Sequence, residues 1–130
     1  KHIPGHGLAK VDSHNFTPVV DKTINYLINN DFFPFKNKDS LFAMTAHIIY
    51  KKIDPLNTAT HSKKIINIIR KKIGFKNILI SDDLSMKSLK YDLSNLLFEH
   101  GKDPRACFVS AFSYNYSRSP KTSCIERLNT

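Results

Sequence analysis

Two cysteines, no tryptophan and only four glycines occur among the 130 residues, and each scarcity removes a class of explanation. Cys107 and Cys124 both lie in the last quarter without a CxxC spacing, so neither a disulfide framework nor a four-thiolate zinc site has its ligands. Two free thiols fit a reducing compartment, and a cytoplasmic location is the expectation. No run approaches the roughly 20 apolar residues of a membrane span, and the N-terminus lacks the basic-then-apolar order of a signal peptide. The chain therefore reads as soluble and unexported, with no membrane partner. No GxxxxGK[ST] loop is present, and PGHG at 4–7 lacks the strand and helix context of a dinucleotide site, so no cofactor is expected.

Acidic residues are also in deficit: 11 against 20 basic ones give a formal charge of +9. Taken alone, that balance points to a polyanionic partner. Sixteen of the basic residues are lysines, however, dispersed from Lys1 to Lys121 with no block of five, beside abundant isoleucine and asparagine. A compositional bias explains this better than a nucleic-acid footprint, and no aromatic stacking array is present. With 41% hydrophobic residues the chain has enough apolar side chains for the core of one domain.

The apolar spacing alternates between two periods. Asp21 to Asn30 places Ile24, Leu27 and Ile28 at helical spacing. DFFPF breaks that helix, and Leu41 to Tyr50 (LFAMTAHIIY) is apolar, β-branched and of strand length. Lys51 to Thr60 reads as loop. Ser62 is a good N-cap for SKKIINIIRKKIG, whose Ile65, Ile66, Ile69 and Ile73 share a face and whose Gly74 suits a left-handed helix end. FKNILIS follows as a strand too continuously apolar for a sheet edge, which parallel sheets show. A third helix is expected from Ser85 to His100, with Gly101 as its stop. Helix, strand, helix, strand, helix favours parallel α/β architecture, where functional residues sit beyond the C-terminal ends of strands. Lys102 to Thr130, serine-rich and aromatic without a period, reads as mostly irregular.

Charged residues cluster in two places. KHIPGHGLAKVDSH holds His2, His6 and His14 in its first fourteen positions, a density that solvated loops rarely need. Asp12 stands two residues from His14, close enough to hold the imidazole in one tautomer for proton transfer near neutral pH. Ser13 between them reads as a spacer. The three histidines with Asp12 also permit a zinc reading, but no recognised ligand spacing completes it, and no metal is expected. Asp82 and Asp83 follow NILI directly, an expensive position for two carboxylates unless a ligand or backbone compensates them. The assignment favoured here is Asp82 for chemistry as nucleophile or metal ligand, and Asp83 as N-cap of the next helix.

KHIPGHG, VDSH, DFFPF, AMTAHIIY and IIRKKIGFKNILISDDLSMKSL, in that order over about residues 1–89, resemble the C-terminal half of the catalytic barrel of glycoside hydrolase family 3. SDDLSM is similar to the β-N-acetylhexosaminidase branch of that family rather than to its β-glucosidase branch. The resemblance implies a partial TIM-type (β/α) barrel over residues 1–101 and a divergent tail over 102–130. It implies that Asp82 is the nucleophile of a covalent glycosyl-enzyme intermediate, and that His14, held by Asp12, is the acid/base group replacing a second carboxylate. Lys1 and His2 match residues that bind the N-acetylglucosamine ring. The implied substrates are terminal β-linked N-acetylglucosaminides such as muropeptides, with cell-wall recycling as the setting. The family's upstream barrel half supplies an aspartate and an arginine to the same sugar, so a complementing N-terminal half is an expected partner. A non-catalytic remnant of such an enzyme is the alternative, and a basic nucleic-acid-binding module a more distant one.

Overall fold

The computed structural model describes residues 1–84, 86, 87, 89, 106 and 107. Its elements are β1 (Val19–Val20), α1 (Ile24–Asn29), β2 (Phe42–Met44), β3 (Ile49–Tyr50), α2 (Lys63–Ile68), β4 (Ile78–Ile80) and β5 (Ala106–Cys107). Every strand pairing is parallel. Met44 of β2 lies beside Ile80 of β4, and Ile80 lies beside Cys107 of β5. On the opposite side of the β2 segment, Ile3 forms a parallel bridge to Thr45. Ile3, β2, β4 and β5 thus stand side by side in the order of the chain, with α1 between Ile3 and β2 and α2 between β2 and β4, as the helix and strand alternation predicts for that part of the chain. A second parallel pair, β1 with β3, sets Val19 beside Ile49 and Val20 beside Tyr50.

The helices follow their sequence signals closely. Ser62 caps α2 by accepting from the Ile65 N–H at 3.2 Å, and Gly74 closes the helical stretch at φ 82°, where a side chain would be strained. Between them the last turn widens into a π-helical turn, Ile69–Ile73. Ile65, Ile69 and Ile73 are buried, each contributing about 1.5–3 kcal/mol by leaving water. They pack in one core with Leu27, Phe32, Ile48, Tyr50, Phe75 and Leu79. Arg70 then donates to the carbonyls of Phe75 and Asn77 at 3.0 and 2.6 Å, fixing the chain as it enters β4. The first helix is shorter than its pattern predicts, and Thr23 is its cap, accepting from the Tyr26 N–H.

Leu41–Tyr50 departs from the sequence reading of one continuous strand. Phe42–Met44 pairs with β4, Thr45 meets Ile3, and Ile49–Tyr50 turns away to pair with β1. The break falls at Ala46 and His47, because the buried imidazole of His47 is drawn to Thr60 and the turn after β4. The third expected helix, Ser85–His100, lies largely outside the described residues. So does the stretch read as an irregular tail, apart from Ala106–Cys107, which belongs to the sheet. No helix among the described residues is long and apolar enough to cross a membrane.

The loop before α2 is organised by Asp54. Its carboxylate accepts from the N–H groups of Leu56 and Asn57, from the Asn57 side chain and from the Ser62 hydroxyl at 2.7 Å. Burial raises the cost of its charge, but the hydrogen bonds from Ser62, Asn57 and the backbone outweigh that and hold its pKa below the usual 3.8. A depressed folded pKa contributes stability above the unfolded value and loses it as pH falls through the folded one. Asp54→Asn is therefore expected to destabilise the chain by about 1–3 kcal/mol at pH 6, the cost of disrupting such buried hydrogen bonds. Urea unfolding should show that gap narrowing as pH is lowered below 3.8; a gap independent of pH would contradict the assignment.

Candidate active site

Three turns emerge beyond the C-terminal ends of neighbouring parallel segments: the loop after Ile3, the Thr45–His47 corner after β2, and Ser81–Asp83 after β4. Parallel α/β sheets gather their reactive groups at this end. Asp82 is two residues past β4 and about three-quarters covered, its side chain 22% exposed. Its Oδ1 accepts from the Asp83 N–H at 2.9 Å, and its Oδ2 lies 3.2 Å from Nε2 of His2. Burial, the largest influence, pulls the His2 pKa down despite the attraction of Asp82, and His6, Lys1 and the N-terminus act in the same direction as burial. At neutral pH His2 is therefore an uncharged imidazole donating its Nε2 hydrogen to the carboxylate.

Asp12 and His14 form the second unit. Nδ1 of His14 donates to Asp12 Oδ1 at 2.6 Å, and the same oxygen accepts from the His14 backbone N–H at 3.0 Å. Those two bonds, backbone first, hold the Asp12 carboxyl below its ordinary range. With Nδ1 committed to Asp12, Nε2 is the nitrogen left to exchange protons with a ligand. The pair is open to solvent, with side chains 78% and 60% exposed, and among the described residues no hydrogen bond or ion pair joins His14 directly to Asp82.

The connection between the two units runs through residues read from sequence as background. Ser13 is no mere spacer: it is buried, and its hydroxyl lies 3.3 Å from Nε2 of His6. The His6 ring in turn packs 5.2 Å from the His2 ring, and His2 reaches Asp82. Ser13, His6, His2 and Asp82 thus form an unbroken line of contacts from the dyad's loop to the candidate nucleophile. Lys1, the other expected sugar-binding residue, is exposed beside His2. Among the described residues no group of three or more His, Cys, Asp or Glu side chains is placed to hold a metal ion.

Three further residues shape the site without a signal in the sequence. Asp31, read only as a helix breaker, accepts from the Gly7 N–H at 2.9 Å and fills the space beside Gly5. Burial raises its pKa, opposed by the Gly7 hydrogen bond and by His6. Tyr50 donates to the Gly5 carbonyl at 2.8 Å, so the PGHG loop is held from both sides. His47, inside an apolar run, is buried with Nδ1 at 2.8 Å from Thr60 Oγ1 and Nε2 at 3.0 Å from the Asp83 carbonyl. Burial lowers its pKa more than the Asp83 carbonyl and the nearby carboxylates raise it, so it is uncharged at neutral pH.

The glycosyl hydrolase family 3 N-terminal domain matches residues 1–99. The chain belongs to glycosyl hydrolase family 3. It is 41% identical over 91 residues to a β-hexosaminidase of Glaesserella parasuis, covering 67% of this chain and 27% of that protein. A β-hexosaminidase of Psychromonas ingrahamii is 36% identical over 95 residues, covering 70% of this chain and 28% of the relative. Among solved structures, CbsA from Thermotoga neapolitana superposes with a TM-score of 0.73 at 30% identity, over 85% of this chain and 27% of CbsA. NagZ from Neisseria gonorrhoeae gives 0.69 at 29% identity, over 85% and 33%. The chain thus spans just over a quarter of the length of the curated relatives it matches. The resemblance read from its motifs is the family found, and the family 3 domain carries the Asp12–His14 loop and the Asp82 turn within one matched segment.

The closeness of the PGHG loop to Asp31 gives a direct test. A Cβ added at Gly5 would collide with the Asp31 carboxylate and approach its backbone carbonyl to 2.8 Å. Gly5→Ala is expected to cost about 1–3 kcal/mol, as overpacking does, read as a lower urea midpoint at unchanged slope. An unchanged midpoint would mean that the loop is not held there.

Proposed function

We propose that this chain carries the nucleophile and the acid/base dyad of a retaining β-N-acetylhexosaminidase acting on terminal β-linked N-acetylglucosamine. The observation that carries the reading is Asp82, placed at the C-terminal end of β4 in a family 3 segment and oriented through both carboxylate oxygens by His2 and its own turn. In this reading Asp82 attacks the anomeric carbon while Nε2 of His14 protonates the departing glycosidic oxygen. Nε2 of the now neutral His14 then takes a proton from water, whose oxygen displaces Asp82 from the sugar. Asp12 keeps Nδ1 protonated and stabilises the imidazolium through both halves of the cycle. In the same reading Lys1 and His2 bind the sugar hydroxyls.

The fold reading goes with it: a C-terminal part of a TIM-type barrel, with four neighbouring parallel segments. Relatives several times longer support the view that further barrel segments complete the sugar site, supplied by a complementing N-terminal half. The β-hexosaminidase names of the relatives support the substrate class. The resemblance to the β-N-acetylhexosaminidase branch suggests muropeptides as substrates and cell-wall recycling as the setting, and two cysteines without a disulfide framework fit a cytoplasmic location.

The test is hydrolysis of β-N-acetylglucosaminides by the chain, alone and supplemented with the N-terminal barrel segment of the G. parasuis relative. A misplacement of about 1 Å at a reacting centre costs on the order of 10²-fold, so supplementation should raise turnover by at least that factor. Asp82→Ala should abolish the activity; turnover surviving that change would overturn the reading. His14→Ala should slow an alkyl glycoside by about 10²-fold or more, within the usual range of general acid catalysis, and a nitrophenyl glycoside much less. Equal losses on both substrates would remove His14 from the acid's role.

A further inference from the structure

His47 is fully enclosed, titratable and absent from the mechanism above, yet it connects the core to the turn that carries Asp82. The direction of its hydrogen bonds can be worked out. The Asp83 carbonyl only accepts, so the imidazole must donate to it from Nε2 at 3.0 Å. An uncharged ring with its hydrogen on Nε2 leaves Nδ1 as an acceptor, which the Thr60 hydroxyl meets at 2.8 Å. The Thr60 hydroxyl has one hydrogen and two acceptors in reach, His47 Nδ1 at 2.8 Å and the Ala46 carbonyl at 3.2 Å; the shorter contact takes it, and the Thr45 hydroxyl, 2.9 Å away, supplies a donor to Thr60 in return. Thr45, Thr60 and His47 are all buried, so a directional chain runs from the β2 corner through Thr60 to the Asp83 carbonyl.

That carbonyl belongs to the residue whose N–H binds Oδ1 of Asp82, and it also accepts from the Met86 N–H at 3.2 Å. The peptide units on both sides of Asp83 are therefore tied, one to the candidate nucleophile and the other to His47. We propose that His47 is a positioning residue for the glycosidase reaction, holding the Asp82–Asp83 turn in register through its Nε2–H bond, with Thr60 fixing the tautomer. The proposal rests on the glycosidase reading for its effect on rate, but its geometric part stands without it. His47 need not touch the sugar. Its effect is on where the Asp82 carboxylate points at the moment of attack, an effect that appears in kcat rather than in binding.

The test combines two readouts on His47→Leu, His47→Gln and Thr60→Val, with Asp82→Ala as control. Leucine fills the cavity but donates nothing. The glutamine amide extends to about the depth of Nε2 and still donates. Valine keeps the shape of Thr60 and removes its hydroxyl. In the complemented enzyme, His47→Leu should lower kcat by about 10²-fold with KM within about threefold, the scale of a 1 Å misplacement. His47→Gln should restore all but about tenfold of it. In the chain itself, the Asp83 amide should exchange with solvent at least tenfold faster in His47→Leu and Thr60→Val, while the core amides of Leu27 and Ile65 stay protected. Nitrogen-15 shifts of the wild type should show His47 uncharged with its hydrogen on Nε2.

A His47→Leu enzyme with unchanged kcat, or a glutamine variant no better than leucine, would overturn the positioning role. An unchanged Asp83 exchange rate would overturn the geometric link itself. If Asp82→Ala keeps full activity, the glycosidase reading fails instead, and the exchange result still decides whether His47 holds the turn. Loss of protection at Leu27 and Ile65 in His47→Leu but not in His47→Gln supports the bond as the element that matters, whereas the same loss in both makes His47 a packing residue and refutes the proposal.

Discussion

Ile3 donates its N–H to the Met44 carbonyl at 2.7 Å and accepts from the Ala46 N–H at 2.9 Å, while Thr45, between them, donates the other way to Ile80 at 2.8 Å. Those three bonds set the register of the parallel segments and place three chain reversals at the same end of the sheet. Parallel strands are linked by connections that return to the starting end, so each new segment delivers its C-terminal turn beside the last. A shift of one residue at Thr45 would carry His47 away from Thr60 and send the alternate face of β2 inward. The site is in this sense a consequence of backbone pairing, and its side chains only complete it.

The groups at that end are controlled by burial as much as by charge. His2 and His47 are both kept uncharged chiefly by desolvation, and each donates its Nε2 hydrogen to the turn after β4, His2 to the Asp82 carboxylate and His47 to the Asp83 carbonyl. Only His2 touches the Asp82 carboxylate, and as an uncharged donor it holds that carboxylate without a strong ion pair. The third, His14, is treated differently. It stands in solvent with Asp12. Exposure thus separates the two covered imidazoles from the solvent-facing one.

Much of the fold was legible because its signals are local. Ser62 and Gly74 mark both ends of the second helical stretch through capping chemistry that acts within four residues. The continuous apolar run at Ile78–Ile80 announces a strand inside a parallel sheet, as β4 is between β2 and β5, and the carboxylates directly after it mark the candidate site. Asp12 and His14 were readable for the same reason, since their bond spans two residues. What was hidden depends on distance along the chain. His47 meets partners 13 and 36 residues away, and its presence splits a segment whose composition alone describes one strand. Ser13 looked like a spacer because its partner, His6, lies across a loop whose shape depends on Asp31 and Tyr50. Hydrogen bonds of this kind leave no periodicity to read.

The claim that unites the account is that the turn after β4 presents Asp82, and no other carboxylate, to the anomeric carbon. A 5-fluoro glycosyl fluoride of N-acetylglucosamine, which slows release of a covalent intermediate, tests it on the chain supplemented with the N-terminal barrel segment of the G. parasuis relative. Digestion and mass spectrometry should find the sugar on the peptide spanning Asn77 to Lys87, with fragmentation placing it on Asp82 rather than on Asp83. Labelling of Asp12, Asp31 or Asp83, or equal labelling after Asp82→Ala, would contradict the account.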